Sequence, residues 1–533
     1  MENNNNREIW ASKVGLILAM AGNAIGLGNF LRFPVQAAKN GGGAFMIPYF
    51  TALILLGIPL MWVEWGLGRY GGKLGSGTSP AIFESMCKNR IAKYIGVLGI
   101  CIPLVFVIYY TYIESWTFGY SFFSLTGKYF GNETREAMGS FLHSYQGVLG
   151  NGEAGTNLPS FLSAYIFFMI TLAINIWILS KGVVKGIETL AKIAMPALFI
   201  FAAILVIRVF TLGTPNPAVP ENNVLNGLAF IWNPDFGKLS SASVWLAAAG
   251  QIFFTLSIGT GSLLTYASYV REKDDIALSG LTTSMTNEFA EVILGGSIAI
   301  PVAVAFFGVT ETTDIARSGA FNLGFQAMPI IFQRLPWGQL FGGLWFMLLF
   351  FAGITSSVAL AQPAMAFLQD ELKISRQRAA IIIGSVIFVC TQPVIFYLGH
   401  GFLDEMDYWA GAFGLVVFAL FEVIIFAWIF GMDNAWGEIN QGAHIRLPRI
   451  FYYIIKYISP AYLIVLLLSW AYFDAGGILI LKKDPYGDPI QTGDIIYRLG
   501  ARLMMAGLFV VIALLVRYVW KKNRNEKKYA STS

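Results

Sequence analysis

The chain has 533 residues, of which 56% are hydrophobic and 13% are charged, and its formal net charge is +5. A soluble protein with a mean hydropathy of +0.62 would expose large apolar patches, so we expect an integral membrane protein. The three cysteines and three histidines are scattered along the sequence, which leaves little basis for a disulfide framework, a metal centre or histidine catalysis. We therefore do not expect an enzyme.

Apolar stretches long enough to cross a bilayer recur along the whole chain. A transmembrane helix needs roughly 20 apolar residues, whereas a membrane β-barrel shows alternating segments of about 10. The stretches are too continuous for a barrel, so the predicted fold class is an all-α membrane protein with about twelve transmembrane helices. Their approximate positions are 12–38, 44–68, 95–124, 161–180, 189–211, 242–270, 278–307, 338–368, 379–398, 409–431, 451–473 and 498–520.

Lysine and arginine residues near the ends of the spans indicate the orientation in the membrane. With the N-terminus inside, the inner connections collect most of these residues, and the C-terminal sequence RYVWKKNRNEKK adds more. Such a bias is typical of cytoplasmic loops. We expect both termini to be cytoplasmic, with residues 1–11 as an N-terminal segment and 521–533 as a basic tail. The absence of long regulatory tails favours an inner (plasma) membrane of a prokaryote.

Two of the apolar stretches are interrupted near their middle. The first contains AGNAIGLGNFLRFP, residues 21–34, and the sixth contains TLSIGTGS, residues 255–262. The second break lies five spans after the first, and five is an odd number, so the two halves of the chain would insert with opposite orientation. Paired, glycine-interrupted spans are typical of secondary transporters built from inverted repeats. The expected repeats cover about 12–211 and 242–431, followed by two spans in about 451–520.

The glycines of the first break favour an unwound backbone. Gly22, Gly26 and Gly28 lower the cost of leaving helical geometry, and unwound backbone at membrane depth is tolerated only where protein or water receives its polar groups. The alternative is close helix packing through the Gly-x-x-x-Gly pair Gly22 and Gly26. That alternative leaves the two asparagines and the arginine of the same stretch unexplained.

A broken helix presents free N–H groups at one end and free carbonyl groups at the other, so one site can hold both an anion and a cation. Hard cations take oxygen ligands from carbonyls, hydroxyls and amides. Hydroxyls that bond back to their own helix are the alternative use of such residues. The candidate oxygen donors within apolar spans are Asn29, Thr255, Ser257, Asn287, Thr355 and Ser356.

Five motifs in order, GNAIGLGNFLRFP, NGGGAFMIPY, YYTYIESW, GQIFFTLSIGTGSLLTYASY and FFAGITSSVAL, give the chain a strong resemblance to the neurotransmitter:sodium symporter family. The resemblance is strongest to the bacterial leucine transporters of that family and runs from about Trp10 to the end of the last span. It implies the leucine-transporter (LeuT) type of inverted repeat, one transporter domain over 12–520, and sodium-coupled amino-acid import by alternating access.

The resemblance also implies the site residues. The first sodium ion would be held by Ala24, Asn29, Thr255 and Asn287 together with the substrate carboxylate, and the second by Gly22, Ile25, Ala352, Thr355 and Ser356. The substrate carboxylate would meet Leu27, Gly28 and Tyr110, and its ammonium group would meet Ala24, Phe254, Thr255 and Ser257. The substrate side chain would lie against Phe106, Thr260, Ser356 and Leu360.

Four positions bear on the substrate and the ions. Family members that carry monoamines have an aspartate where this chain has Gly26, so glycine implies a substrate with its own carboxylate. Phe106 and Thr260 depart from the leucine-transporting members, which removes leucine selectivity and leaves a neutral, hydrophobic amino acid as the expectation. Glu291 stands where chloride-dependent members have serine, so the resemblance implies chloride independence and a role in proton return.

The resemblance pairs charged residues as gates, Arg32 with Asp407 on the outside and Arg7 with Asp370 on the inside. An ion channel or a transport-dead amino-acid sensor of the same fold remains open from the residues alone. A membrane enzyme finds no thiol or histidine cluster in the spans. We expect an amino-acid substrate, sodium ions and membrane lipid as partners and no nucleic acid, and we leave a homodimer open.

Overall fold

The computed structural model describes residues 8–148, 158–484 and 487–530. Within these ranges the chain is helical and contains no β-strand. The main helices in chain order are α1 Lys13–Ala24, α2 Gly28–Lys39, α3 Gly43–Lys73, α4 Ser79–Cys87, α5 Ala92–Thr126, α6 Arg135–Gln146, α7 Leu158–Gly182, α8 Thr189–Phe210, α9 Val224–Trp232, α10 Ala242–Thr255, α11 Ser262–Ala267, α12 Ile276–Arg317, α13 Met328–Gln333, α14 Gly338–Glu371, α15 Arg376–Phe396, α16 Phe402–Ile429, α17 Met432–Asn440, α18 Ile450–Phe473 and α19 Ile495–Ala530. The predicted all-α membrane fold is confirmed.

The first apolar stretch is a broken helix. Helices α1 and α2 meet at a bend of 49°, with residues 25–27 between them. The interruption is shorter than the glycines suggest, because α1 continues through Gly22 to Ala24. Helix α1 begins after Ser12, whose hydroxyl accepts a hydrogen bond from the Gly15 N–H and so caps the first turn.

The second break lies between α10 and α11, in residues 256–261. Three residues there have positive φ angles, Ser257 at 53°, Gly259 at 74° and Gly261 at 81°. Glycine adopts this region without steric cost, but a β-carbon at Gly259 would also lie 2.1 Å from the Leu415 carbonyl oxygen. The backbone at this break is therefore both unwound and closely packed.

The lengths and compositions of the helices do not confirm the predicted number of twelve membrane spans. In the described residues, nine helices are long and apolar enough to cross a membrane, or ten if the bent pair α1 and α2 is one span. Residues 162–210 form one of these nine helices, with a length of 49 residues, although the chain turns inside it at Gly182, whose φ is 97°. Helices α10 and α11 are not among the nine, because each half of that broken helix is too short.

The long helices α5 and α14 form the centre of the molecule. Phe118 and Phe350 stack with ring centroids 4.8 Å apart, and a β-carbon at Gly353 would lie 2.9 Å from the Glu114 side chain. The first broken helix lies against the same pair, since a β-carbon at Gly22 would be 3.0 Å from Thr355 of α14. Both breaks are thus held inside the protein and away from lipid, as membrane-depth irregular backbone requires.

Candidate functional site

Side chains satisfy the backbone groups that the first break releases. The N–H of Leu27 donates to the Tyr110 hydroxyl at 3.0 Å, and the N–H of Gly26 donates to the Asn29 side-chain oxygen at 2.9 Å. The N–H of Ile25 still reaches the Ala21 carbonyl oxygen at 2.6 Å. The break therefore directs the N–H of Leu27 toward a hydroxyl that a bound anion could share.

A buried carboxylate supports the second break. The N–H of Gly259 donates to one oxygen of Glu64 at 2.6 Å, while the other oxygen of Glu64 finds no protein partner within the described chain. Thr260 turns its hydroxyl back to the Ser257 carbonyl oxygen at 2.8 Å. Ser257 itself holds a positive φ angle, which is uncommon for a residue with a side chain and is found at functional sites.

The two breaks touch each other. The hydroxyl of Ser257 donates to the carbonyl oxygen of Asn23 at 2.9 Å, and the hydroxyl of Ser262 donates to the Asn23 side-chain oxygen at 3.1 Å. The predicted meeting of the two interrupted segments is therefore present in the structure. Residues 23 and 257 are separated by 234 positions in the sequence, so the fold itself creates this contact.

A chain of buried polar groups connects α2, α10 and α12. The amide of Asn29 donates to Asn287 at 2.8 Å, and the amide of Asn287 donates to the Thr255 hydroxyl at 3.0 Å. The Thr255 hydroxyl donates in turn to the Glu291 carboxylate, which also accepts the Gln251 amide at 2.6 Å. The structure brings together three of the residues predicted for the first sodium ion and adds Glu291 beside them.

The oxygen-rich cluster suits an alkali cation. Asn29, Asn287 and Glu291 are completely buried, and Thr255 is 1% exposed. Carbonyl, hydroxyl and carboxylate oxygens are the ligands of hard cations. The cluster differs from a metal centre built on several ionisable ligands, because the described residues contain no group of three or more His, Cys, Asp or Glu side chains that could hold a metal ion. Glu291 contributes the carboxyl group that the Thr255 hydroxyl and the Gln251 amide contact.

The residues predicted for the second sodium ion also lie together. The hydroxyl of Ser356 reaches the Gly22 carbonyl oxygen at 3.2 Å and the Ala352 carbonyl oxygen at 3.1 Å. Thr355 faces Gly22 with its β-carbon, but its hydroxyl bonds back to the Phe351 carbonyl oxygen of its own helix at 2.9 Å. Ile25 follows directly after the end of α1.

Aromatic rings enclose the space beside the breaks. The Phe106 ring centroid lies 5.4 Å from that of Tyr110 and 5.9 Å from that of Phe254. A β-carbon at Gly28 would lie 2.4 Å from the Phe254 ring, so only glycine allows this approach. Leu360, predicted for the same pocket, is 1% exposed on α14.

The two residues predicted as the outer gate, Arg32 and Asp407, are not in ionic contact in this structure. The guanidinium group of Arg32 lies over the Phe254 ring, 4.1 Å from its centroid. Asp407 accepts the Tyr109 hydroxyl at 2.8 Å, and these two described residues, Arg32 and Asp407, make no ion pair with each other. The physical reason is that each group has a nearer partner: an aromatic face for the cation and a hydroxyl for the carboxylate.

On the inner face, the segment before α1 contacts α11 and the residues that follow it. The Trp10 indole donates to the Tyr266 carbonyl oxygen at 3.0 Å, and the Trp10 N–H donates to the Tyr269 carbonyl oxygen at 3.3 Å. Asp370 accepts the N–H of Gly77 at 3.0 Å. Arg7, the predicted partner of Asp370, lies outside the described residues.

Three polar groups at the site were not predicted from the sequence. Gln251 stands four residues before Thr255 on α10, so a polar residue at this helical spacing was the available signal. Tyr49 donates to Glu288, three residues before Glu291, at 2.8 Å, and Glu64 accepts the N–H of Gly259. The last two contacts join distant parts of the chain and leave no local pattern.

Two broken membrane helices that meet over buried oxygen donors define a secondary transporter of the inverted-repeat kind. A model of the sodium:neurotransmitter symporter family matches residues 7–137 and 155–519, and the chain belongs to that family. Its members are transporters and not enzymes, and they use sodium. The chain is accordingly a sodium-dependent symporter with several membrane-spanning helices.

Curated and solved relatives cover most of the chain. An uncharacterised sodium-dependent transporter of Methanocaldococcus jannaschii is 31% identical over 481 residues, which is 89% of this chain and 91% of the relative. The sodium- and chloride-dependent glycine transporter 1 of Xenopus laevis is 26% identical and is matched over 78% of its length by 88% of this chain. The crystal structure of MhsT in complex with L-phenylalanine aligns with a TM-score of 0.74 and 28% identity, over 87% of this chain and all of MhsT.

Proposed function

We propose that the protein imports a neutral, hydrophobic α-amino acid together with sodium ions by alternating access, without a requirement for chloride. The observation that carries the proposal is the hydrogen bond between Ser257 and Asn23, which places the two helix breaks against each other. A zwitterion matches such a site, because free N–H groups attract its carboxylate and free carbonyl groups attract its ammonium group. MhsT, which shares the fold, was crystallised with an amino acid.

The substrate carboxylate would lie between the first break and α5. The N–H groups of Leu27 and Gly28 and the hydroxyl of Tyr110 are its proposed donors; the hydroxyl now receives the Leu27 N–H. The ammonium group would donate hydrogen bonds to the carbonyl oxygens of Ala24, Phe254 and Thr255 and to the hydroxyl of Ser257, as the family pattern implies. Aromatic rings of Phe106 and Phe254 would enclose the side chain, beside Thr260, Ser356 and Leu360.

Gly26 supports an amino acid over a monoamine. A β-carbon at this position would lie 3.0 Å from the Tyr110 hydroxyl and 3.1 Å from the Ser356 hydroxyl. Glycine therefore leaves open the space that an aspartate would fill in carriers of monoamines. A substrate that lacks a carboxylate would leave the N–H of Leu27 without an anionic partner, so we expect dopamine-like amines to bind more weakly than amino acids.

We propose two sodium ions. The first would be bound by Ala24, Asn29, Thr255 and Asn287 and by the substrate carboxylate, which makes ion and substrate binding mutually dependent. The second would be bound by Gly22, Ile25, Ala352, Thr355 and Ser356, supported by the contact of Ser356 with the Gly22 carbonyl oxygen. The protein ligands of both sets are neutral oxygens, which suit a monovalent cation.

Glu291 supports chloride independence. Its carboxylate accepts hydrogen bonds from Thr255 and Gln251 and lies 3.5 Å from the Asn29 amide. When ionised, this carboxylate would supply beside the first sodium ion the negative charge that a bound chloride would otherwise supply, because both offset the positive charge of the ion. The same carboxylate is the proposed group that returns a proton.

The gates would close on either side of this site. On the outside, we propose that Arg32 and Phe254 move together, since the guanidinium group lies over the ring, and that Arg32 reaches Asp407 at another stage of the cycle. On the inside, Asp370 is the proposed partner of Arg7. Both termini would be cytoplasmic in an inner membrane, and a homodimer stays a proposal.

Uptake into proteoliposomes tests the proposal. The purified protein is reconstituted, a sodium gradient is imposed, and uptake is screened over the common amino acids with chloride or gluconate as the anion. We expect saturable uptake of a large neutral amino acid that stops without the sodium gradient and is equal in both anions. Uptake that needs chloride would contradict chloride independence. Amino-acid binding without uptake would identify a sensor, and sodium current without substrate would identify a channel.

A further inference from the structure

A cavity lies beside the end of the last helix, far in sequence from the substrate site. Its volume is about 610 Å³, and it lies between α4, the start of α5, the end of α14 and the end of α19. The residues that line it are Glu84, Arg90, Lys93, Glu371, Arg517, Trp520, Lys521 and Asn523. Four of these side chains are basic and two are acidic, so the lining carries a net positive charge.

One acidic residue of the lining is already neutralised. Glu84 accepts the indole N–H of Trp520, and its second oxygen lies 3.6 Å from the ammonium group of Lys93. Lys93 is 7% exposed, and its ammonium group also lies 5.8 Å from the centroid of the Trp520 ring. These contacts attach α19 to α4 and form a wall of the cavity.

The second acidic residue of the lining also accepts hydrogen bonds, whereas three of the four basic residues form no ion pair with the described residues. Glu371 accepts the hydroxyl groups of Ser76 at 2.8 Å and Thr78 at 3.1 Å. In the part of the chain that the structure describes, Arg90, Arg517 and Lys521 form no ion pair. Their positive charge is available to a ligand.

The cavity opens at the depth where the hydrocarbon core ends. The apolar run of α19, residues 503–516, exposes Val510, Val511 and Leu514 on the lipid side, and Arg517 is the next residue. Tyr518 is 61% exposed and Trp520 lines the cavity, so two aromatic residues mark this level. Aromatic residues of this kind lie at the headgroup level of a bilayer.

We propose that this cavity binds the phosphate headgroup of an anionic phospholipid, held by Arg90, Arg517 and Lys521. Arginine and lysine bind phosphate through charge-assisted hydrogen bonds, and basic pockets at the inner side of membrane proteins bind acidic headgroups. Free snorkelling of the basic side chains is the alternative, but snorkelling needs no cavity and no buried Lys93.

The proposed lipid site is connected to the inner gate, and this part of the inference rests on the proposed function. Glu371 lies next to Asp370 on α14, and Asp370 accepts the N–H of Gly77. The carbonyl oxygen of Gly77 accepts the hydroxyl of Thr265 in α11 at 3.0 Å. A headgroup in the cavity would therefore lie next to the loop at residues 76–78, which contacts the second broken helix through Thr265.

Lipid retention by the purified protein tests the site without any need for transport. The full chain is extracted from membranes, exchanged into nanodiscs of phosphatidylcholine and phosphatidylglycerol in equal amounts, and released for native mass spectrometry. The variants are Arg517→Gln with Lys521→Gln, the charge-preserving Arg517→Lys with Lys521→Arg, and the control Lys522→Gln. Lys522 is exposed on the same helix turn and does not line the cavity.

The wild type and the Lys522→Gln control are expected to retain phosphatidylglycerol preferentially, and the double glutamine variant is expected to lose that preference about tenfold. The charge-preserving variant keeps it and shows that loss in the other variant is not misfolding. Equal retention of both lipids by the wild type, or an equal loss in Lys522→Gln, would overturn the site. Displacement of the lipid by inorganic phosphate at similar concentration would overturn the assignment to a lipid. Failed amino-acid uptake with intact lipid preference would count against the proposed function and its link to the gate alone.

Discussion

Ser257 and Asn23 join the two halves of the protein through one hydrogen bond of 2.9 Å between two interrupted helices. The donor stands at a positive φ angle, and the acceptor is the last carbonyl but one of α1. Neither residue would have this partner in an unbroken helix. The contact is thus a direct consequence of unwinding at both places.

Removal of this contact is expected to weaken substrate binding. Ser257→Ala deletes the nearer donor of the buried Asn23 carbonyl oxygen and leaves it only the Ser356 hydroxyl at 3.4 Å, which costs about 1 kcal/mol or more. We expect a roughly tenfold or larger rise in the dissociation constant of the amino-acid substrate, measured by isothermal titration calorimetry in saturating sodium. Ser180→Ala is the control, because Ser180 donates to its own helix at Trp177 and lies at a half-buried position. A variant that binds like wild type would show that the contact plays no part in the site.

The close approach of Gly28 to Phe254 makes a steric prediction. A β-carbon at Gly28 would be 2.4 Å from the Phe254 ring, whereas a β-carbon at Gly250 on α10 would meet nothing within 4 Å. We expect Gly28→Ala to displace Phe254 and to lower amino-acid affinity at least about tenfold, as overpacking of a core costs about 1–3 kcal/mol. Gly250→Ala should leave affinity unchanged and raise thermal stability slightly. The same affinity in both variants would contradict a pocket closed by Phe254.

The sequence predicted the breaks because their signal is local. Glycine and asparagine within an apolar stretch are visible without knowledge of the fold, and both interruptions occur inside the expected segments. The helix nevertheless continues through Gly22, because its backbone hydrogen bonds remain available there. The count of spans was harder to judge from helices, since a break divides one crossing into two short pieces.

Partners across the fold were less predictable. Arg32 and Asp407 were expected to pair, but Phe254 and Tyr109 compete for them in the structure. Glu64 accepts the N–H of Gly259 in the second break, although the two residues are 195 positions apart in the sequence. No periodicity reports such contacts, because they depend on how helices pack and not on the local pattern.

Sodium affinity is expected to depend on Asn29. Its side chain accepts the Gly26 N–H and donates to Asn287, so it joins the break to the polar cluster. Asn29→Ala should raise the sodium concentration for half-maximal substrate binding about tenfold, which a titration in choline-balanced buffer would measure. Asn40→Ala, at a half-exposed asparagine that bonds only to Gln36, is the matched control. An unaltered sodium titration in Asn29→Ala would remove the cluster from the ion site.

Glu291 is expected to determine the anion requirement. Glu291→Ser removes the negative charge beside the proposed sodium ion, so uptake should become dependent on chloride and fall to background in gluconate. Glu288→Gln lies one turn earlier, where its partner is Tyr49, and it should keep chloride-independent uptake. If Glu291→Ser still transports equally in both anions, the carboxylate does not replace chloride.

A carboxylate outside the spans gives a pH prediction for stability. Burial on its own raises the pKa of Asp275, but the backbone N–H groups of His444 and Leu278, together with the His444 side chain, outweigh burial and lower that pKa below its ordinary value. The stabilisation is therefore complete above the ordinary pKa of about 4 and is lost as the pH falls through the lowered value. Asp275→Ala also removes the cap of α12 and should cost about 1 kcal/mol at pH 7.

Thermal unfolding in detergent at pH 7 and at pH 3 would measure this effect. The difference between wild type and Asp275→Ala should be largest at pH 7 and smaller at pH 3. Asp235→Ala changes an exposed capping carboxylate and serves as the control. A difference that grows toward acid pH would have the wrong sign for a lowered pKa.

The dependence of amino-acid binding on sodium tests the central claim most directly, because one site at the meeting of two broken helices is proposed to hold both. The dissociation constant of a large neutral amino acid such as L-phenylalanine is measured for the purified wild type in sodium chloride and in potassium chloride. We predict binding in sodium and at least about tenfold weaker binding in potassium, with reciprocal tightening of sodium by the amino acid. Equal affinity in the two salts would contradict a shared site for substrate and ion.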